Sequence, residues 1–152
     1  MSVDEKLKEM GIELPTPPIP IGSYVPVVQT GNLCFVSGQI PIKDGRVFVC
    51  GSVPNICPIE NAKEAAKICA INILGQLKAH LGSLDRIKRV VRINGFVQSD
   101  NGFHGQPDVL NAASDLFAEI FGEKGRHTRT SYGVLELPAN ATVELDAIVE
   151  VE

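Results

Sequence analysis

At 152 residues, 44% hydrophobic and 21% charged, the chain has the composition of one ordinary globular domain with apolar content for a single core. A net charge of −4 and a pI near 5.4 argue against general affinity for nucleic acid, which needs a clustered basic surface. The longest mostly apolar run, residues 68–77, is interrupted by Asn72, Gly75 and Gln76 and falls short of a membrane span of about 20 residues.

Ser2 and Glu5 have the S-x-x-E spacing of a capping box, good helix formers run to Met10, and Gly11 supplies a stop, so a short N-terminal helix is predicted. Pro15, Pro17, Pro18 and Pro20 then remove backbone donors and hold the chain extended as a connector. Residues 25–30 and 33–37 read as a hairpin about Gly31-Asn32, and residues 40–43 and 46–50 as a second about Asp44-Gly45. Residues 51–58 lack periodicity and contain two prolines, which marks a loop. From Ile59 to Leu81, Ala62, Ala65, Ala66, Cys69, Ile73, Leu77 and Leu81 recur at helical spacing, with Gly82 beyond. The middle of that helix is apolar almost all round, so a sheet and a second helix are expected to cover it.

Branched residues at Ile87, Val90, Val91, Ile93 and Val97 predict a strand, and residues 99–106 a loop. Pro107 suits the first turn of a helix whose stripe is Val109, Ala112, Ala113, Leu116, Phe117 and Ile120, ending at Gly122; Asn111 falls off its centre. Two strands close the chain. In the second, Val143, Leu145, Ala147, Val149 and Val151 alternate with Thr142, Glu144, Asp146, Glu150 and Glu152, the period of a strand with one apolar face. The order helix, strands, long helix, strand, helix, strands predicts a two-layer α+β domain over residues 1–152, with residues 1–18 as an N-terminal extension and both main helices on one sheet face.

Familiar catalytic motifs are missing: the sequence has no GxGxxG after a strand, GxxxxGK[ST], HExxH or GxSxG. Cys34, Cys50, Cys57 and Cys69 have no CxxC spacing and no paired histidines, so no metal site is signalled. Residues 1–5 lack the basic start and apolar stretch of a signal peptide, which reads as a cytoplasmic chain with reduced thiols. The one basic concentration, Arg86, Lys88, Arg89 and Arg92, straddles a strand start and reads as a solvated edge. His80 and His104 read as solvated; His127, two residues before Arg129, is nearer the candidate chemistry.

That chemistry centres on Arg129 and Glu144. A guanidinium binds a carboxylate bidentately, although at a strand end it also serves as a structural ion-pair partner. A carboxylate partly removed from water has a raised pKa and can pass a proton through a placed water, although Glu144 also suits a plain solvent-facing position. If the last two strands pair about a turn near Ala139, Glu144 faces roughly residue 135, ~20 Å from Arg129 at the strand rise. One flat hairpin cannot then bring both to one small molecule: either the strands bend strongly or Glu144 meets the Arg129 of another subunit, which favours a site at the interface of a homo-oligomer.

These residues carry a family likeness. Residues 129–146 resemble the R-[ST]-x-x-x-V-x-x-L-P-x-x-x-x-[VI]-E-[IL]-[ED] signature of the RidA (YjgF) enamine/imine deaminases. Ile21-Gly22-Ser23-Tyr24 is similar to that family's I-G-P-Y, Val36 to Pro41 to its S-G-Q-I-P, and Asn111 to the asparagine of its second helix. The likeness spans about residues 19–151 in order. It implies a chorismate-mutase-like homotrimer with sites in clefts between subunits. There, 2-aminoacrylate-type enamines and imines would be hydrolysed to 2-keto acids and ammonia without a cofactor. By the same resemblance Arg129 would clamp the substrate carboxylate and Glu144 would position or activate water. Tyr24, Asn111 and Ser131 would line the pocket, with Gly38 admitting close backbone approach. Ser131 stands where the family often has cysteine, and Ser23 where it has proline. With the N-terminal helix and longer loops, these departures mark a divergent branch. A keto-acid-binding or regulatory protein of the same fold is the alternative. Neither nucleic acid nor a membrane is expected as a partner.

Overall fold

The computed structural model describes residues 1–152. Ser2 caps α1 (Val3–Glu9) as its spacing predicts: its hydroxyl accepts from the Glu5 N–H, and the Glu5 carboxylate accepts from the Ser2 N–H. The helix is tied to the body where the Val3 N–H donates to Asp85 and Lys78 pairs with Asp4. The proline-rich segment after it straps across α2 (Ile59–Leu81). Gly75 makes room, since a Cβ there would lie 3.3 Å from the Pro15 carbonyl oxygen, and Gln76 Nε2 donates to Pro18 O. The strap thus delivers residues 19–26 to the edge of the sheet.

Both hairpins form: β1 (Val27–Thr30) with β2 (Leu33–Gln39), and β3 (Ile42–Lys43) with β4 (Arg46–Val47). The second turns on Asp44 at φ 53° and Gly45 at φ 81°, the left-handed pair that a two-residue turn requires. α2 begins and ends where the apolar period and Gly82 place it, and its middle is buried on several sides, including Asn72 and Gln76. Asn72 Nδ2 donates to the carbonyls of Ile40 and Ile42, and Gln76 to Gln39, so these buried amides tether the chain that leaves β2. β5 (Ile87–Gln98) and α3 (Gln106–Phe121) follow.

The main sheet has five strands in the order β1-β2-β7-β5-β6, where β6 is Thr128–Val134 and β7 is Val143–Val151. α2 and α3 lie on one face, where Ile73, Leu77, Val109, Leu110 and Phe117 meet Val90, Ile93, Val97 and the odd-numbered residues of β7. This is the predicted two-layer α+β arrangement, and all but one of the pairings are antiparallel.

The expected hairpin between the last two strands is not there. β6 pairs in parallel with β5, and β7 pairs antiparallel with the other edge of β5, so β5 separates them. The Leu137-Pro138 segment is not a tight turn but a crossing loop. It is fixed by Ala139 and Asn140 in left-handed conformation, by Gln98 donating to the Asn140 and Ala141 carbonyls, and by the Cys50–Ala141 bridge. The physical reason lies in β5, whose branched run is long enough to pair on both edges; alternation within a strand says which face is apolar but not which strand lies alongside.

The sheet face opposite the helices carries no covering layer. Phe96 stacks on Tyr132 with centroids 5.0 Å apart, and both share that face with Phe35, Glu144, Asp146 and Ile148. No helix of the chain is long and apolar enough to cross a membrane.

Candidate active site

The predicted site residues fall into two groups on opposite faces of the sheet. On β6, Arg129, Ser131 and Gly133 point toward α3, as shown by Arg129 reaching Asn111 and by Gly133, whose Cβ would meet Gln106 Nε2 at 2.7 Å. On β7, Glu144 points the other way. It lies in register with Phe96, which lies in register with Tyr132, three residues beyond Arg129. Strand spacing and rise put the two Cα atoms about 14 Å apart. Sheet geometry therefore replaces the hairpin estimate: the two side chains share no site within one chain because they leave opposite faces.

Arg129 stands at the exposed edge of the sheet, where β6 has β5 on one side only. Its Nη1 donates to Asn111 Oδ1 at 2.9 Å and to Ser114 Oγ at 3.0 Å, and Nη2 makes a long contact of 3.5 Å with Pro107 O. Both hydrogens of Nη1 are engaged, so the plane of the guanidinium is set. Nε has no protein partner, and the edge formed by Nε and Nη2 is the one left for a ligand. That edge matches the two oxygens of a carboxylate. Ser131, next along the same face, has a hydroxyl with no protein hydrogen bond and can serve the same ligand.

Behind Arg129 lies His127. Its Nδ1 is 2.6 Å from Gly125 O and its Nε2 is 2.9 Å from Ser114 Oγ. Burial lowers its pKa below the usual histidine value; the bond to Gly125 opposes this and the Arg129 charge adds to it. The ring is thus neutral at pH 7.

The second group gathers on the uncovered face. Gly38 is where β2 shifts register against β7, and a Cβ there would lie 2.6 Å from Glu144 Oε2. What approaches the Gly38 backbone in the folded chain is therefore the Glu144 carboxylate. Burial, with Asp146 nearby, raises the Glu144 pKa above its ordinary value. Asp146 is likewise raised by burial, against the hydrogen bonds it accepts from Asn94. Tyr24 stands beside Gly38 in the arm laid down by the strap, and its hydroxyl accepts from the Ile21 N–H at 3.3 Å. The arm is exposed and apolar: Ile19 is 87% exposed and Ile21 62%. A cleft of only about 30 Å³ lies under it. A crevice of about 660 Å³ lies between α1, the strap and α2. It holds none of these side chains, and its Lys78–Asp4 pair closes on itself, so the site is placed by chemistry and not by volume.

A family model described as "YjgF/chorismate_mutase-like, putative endoribonuclease" matches residues 4–150. The chain belongs to the RidA (YjgF) family. Among RidA-family and related proteins, it is 42% identical to Protein TCP17 of Trypanosoma cruzi, over 97% of this chain and 93% of that one. It is 31% identical to a 2-iminobutanoate/2-iminopropanoate deaminase of Dermatophagoides farinae, over 93% of this chain and 95% of that protein. The crystal structure of Atu1372 from Agrobacterium tumefaciens, whose function is given as unknown, superposes with a TM-score of 0.93 at 46% identity, covering 99% of this chain and 92% of that one. The α+β fold of the RidA family is thereby established for this chain.

The family likeness names Asn111 as a pocket residue, and the fold bonds it to Arg129. Sequence reasoning passed over Ser114 and left His127 without a partner. Two spacings carried the signal: Asn111 and Ser114 are three apart on a helix and so share a face, and His127 and Arg129 are two apart in extended chain and so point the same way.

Proposed function

We propose that this chain is a cofactor-independent hydrolase that deaminates reactive 2-aminoacrylate-type enamines and their imine tautomers to 2-keto acids and ammonia. The observation that carries this reading is Arg129, braced through Nη1 by Asn111 and Ser114 with its Nε–Nη2 edge open. Such an edge holds a small carboxylate in one orientation, and orientation is most of what imine hydrolysis requires. The deaminase named from Dermatophagoides farinae supports the same chemistry.

In this reading the substrate carboxylate binds Arg129 while Glu144 directs a water at the imine carbon. The water oxygen bonds to the carbon of the protonated imine as Glu144 takes one water proton, which gives a neutral carbinolamine. Glu144 returns that proton to nitrogen; the C–N bond then breaks as the remaining hydroxyl proton passes to Glu144, so the carbonyl forms, ammonia leaves and Glu144 gives the proton up to solvent. The raised pKa of Glu144 suits a group that must both accept and return a proton. Since Arg129 and Glu144 leave opposite faces, a complete site requires the Tyr24–Gly38–Glu144 group of a second copy. The uncovered sheet face, with Phe35, Phe96, Tyr132 and Ile148, is the surface proposed to join three copies.

The test is acceleration of imine hydrolysis in an assay coupled to an amino-acid oxidase or a serine dehydratase, with light scattering for the trimer. Unchanged activity in Arg129→Ala, or a monomer in solution, defeats the reading. Ser131, in place of the family's frequent cysteine, favours one second reading, a keto-acid-binding protein without turnover. Binding of 2-oxobutyrate with no acceleration selects it. Action on nucleic acid is not proposed: Arg86 is held by the Leu81 and Glu152 carbonyls, Arg89 by Glu123, and Arg92 by Asn94 and Thr130.

A further inference from the structure

We infer that His127 is a positioning residue for Arg129, acting through Ser114, so that an imidazole tautomer fixed by a main-chain carbonyl sets the orientation of the guanidinium. The inference rests on the reading of Arg129 as the carboxylate clamp and deepens it.

The direction of every hydrogen in the chain follows from its far end. Gly125 O can only accept, so the bond of 2.6 Å places the hydrogen on Nδ1. In the neutral ring Nε2 is then a lone pair, and Ser114 Oγ, 2.9 Å away, must donate to it. With its one hydrogen committed, Ser114 presents only lone pairs to Arg129 and accepts from Nη1 at 3.0 Å. The bonds therefore run one way, from Arg129 to Ser114 to His127 to Gly125, each polarising the next. The lowered pKa of His127 agrees with the neutral ring this order needs.

The supports of this relay are built into the fold. Phe117 on α3 meets the imidazole edge-on, with centroids 6.0 Å apart at 89°, and holds its plane. The turn bearing the Gly125 carbonyl is pressed against the end of the same helix, where a Cβ on Gly125 would fall 2.1 Å from Phe117 O. Asn111, the other holder of Nη1, is exposed and has solvent as a competitor; the partly buried Ser114 has less of it. Arg129 is thus fixed from the interior by a path of three residues.

The test uses the full chain with Ser114→Ala, His127→Phe and Ser114→Thr. Phenylalanine keeps the contact with Phe117 but has no acceptor, and threonine keeps the hydroxyl. Loss of the bond to the charged guanidinium should raise KM for the imine about tenfold in Ser114→Ala, and loss of the neutral bond that orients the Ser114 hydroxyl should raise it about fivefold in His127→Phe, with kcat within about twofold in both. Ser114→Thr should restore the wild-type value, and the double variant Ser114→Ala/His127→Phe should be no worse than the poorer single one, because both break one path. Nitrogen-15 NMR supplies a readout independent of turnover: slow rotation should give Arg129 separate Nη signals in wild type and Ser114→Thr, merged in the other two. Unchanged KM and unchanged Arg129 signals in both variants overturn the inference even if Arg129→Ala is dead. A lower melting temperature with KM and kcat unchanged assigns His127 to stability alone and also overturns it. Should His127→Phe fail to fold, Ser114→Ala decides. An active Arg129→Ala defeats the clamp reading, while the NMR signals still report whether the relay holds the side chain.

Discussion

The two halves of the candidate site are built on opposite principles. Around Arg129 the hydrogen-bonding groups are matched: Nη1 is doubly held, Ser114 is engaged on both sides, and His127 is neutral. Around Glu144 they are not. Its carboxylate is partly desolvated beside a second acid, lies against a glycine, and is flanked by an exposed apolar arm. Arg129 is braced wholly within one chain, whereas the proposed site joins Glu144 to the Arg129 of a second copy. In that proposal preorganised binding belongs with the former half and proton transfer with the latter.

The largest effect expected from breaking this contrast is Arg129→Ala, which removes the charge-assisted fork and should lower kcat/KM about a thousandfold in the coupled assay. Glu144→Gln should fall next, about a hundredfold in kcat with KM little changed, because general acid/base catalysis is lost while the clamp stays. Gly38→Ala should cost about tenfold in kcat: its methyl would fall 2.6 Å from Glu144 Oε2 and displace the carboxylate without touching Arg129. Wild-type kcat in that variant would show that Glu144 acts from elsewhere.

The smallest effect sharpens the comparison most, because the halves titrate in opposite senses. Glu144 holds its proton more tightly in the folded chain than in the unfolded one, so its contribution to stability is present below its ordinary value of 4.5 and lost as pH rises through the folded value. His127, lowered in the folded chain, contributes stability that is present above 6.5 and is lost as pH falls through its folded value. Urea unfolding across pH 4 to 8 should therefore show Glu144→Gln losing the decline with rising pH and His127→Phe losing the decline with falling pH. Identical pH slopes in both variants would remove the electrostatic distinction between the halves.

Much of the scaffold was legible along the chain. The Ser2–Glu5 cap, the Asp44-Gly45 turn, and α2 from Ile59 to Leu81 follow from caps, glycine and helical period, which are interactions between near neighbours. The face assignment of β7 was legible too, since alternation reports burial directly: its odd positions from Val143 to Val151 are core and Glu144 is not. Hidden in the sequence were the partners. Nothing local to Leu137-Pro138 says that β6 passes to the far edge of β5, and that step turned an apparent hairpin into two strands separated by a third.

The same division holds within the site. Composition, spacing and family likeness picked out Arg129, Glu144, Tyr24, Gly38, Asn111 and Ser131, because a residue type and its strand parity are properties of the chain itself. Only the tertiary structure decided that Arg129 and Glu144 leave opposite faces, that the space above Gly38 belongs to Glu144, and that Asn111, Ser114 and His127 converge on Arg129. Those facts depend on which strand lies beside which and on how α3 is laid over β6. Burial of the whole core settles these long-range choices, so no stretch of sequence carries them alone.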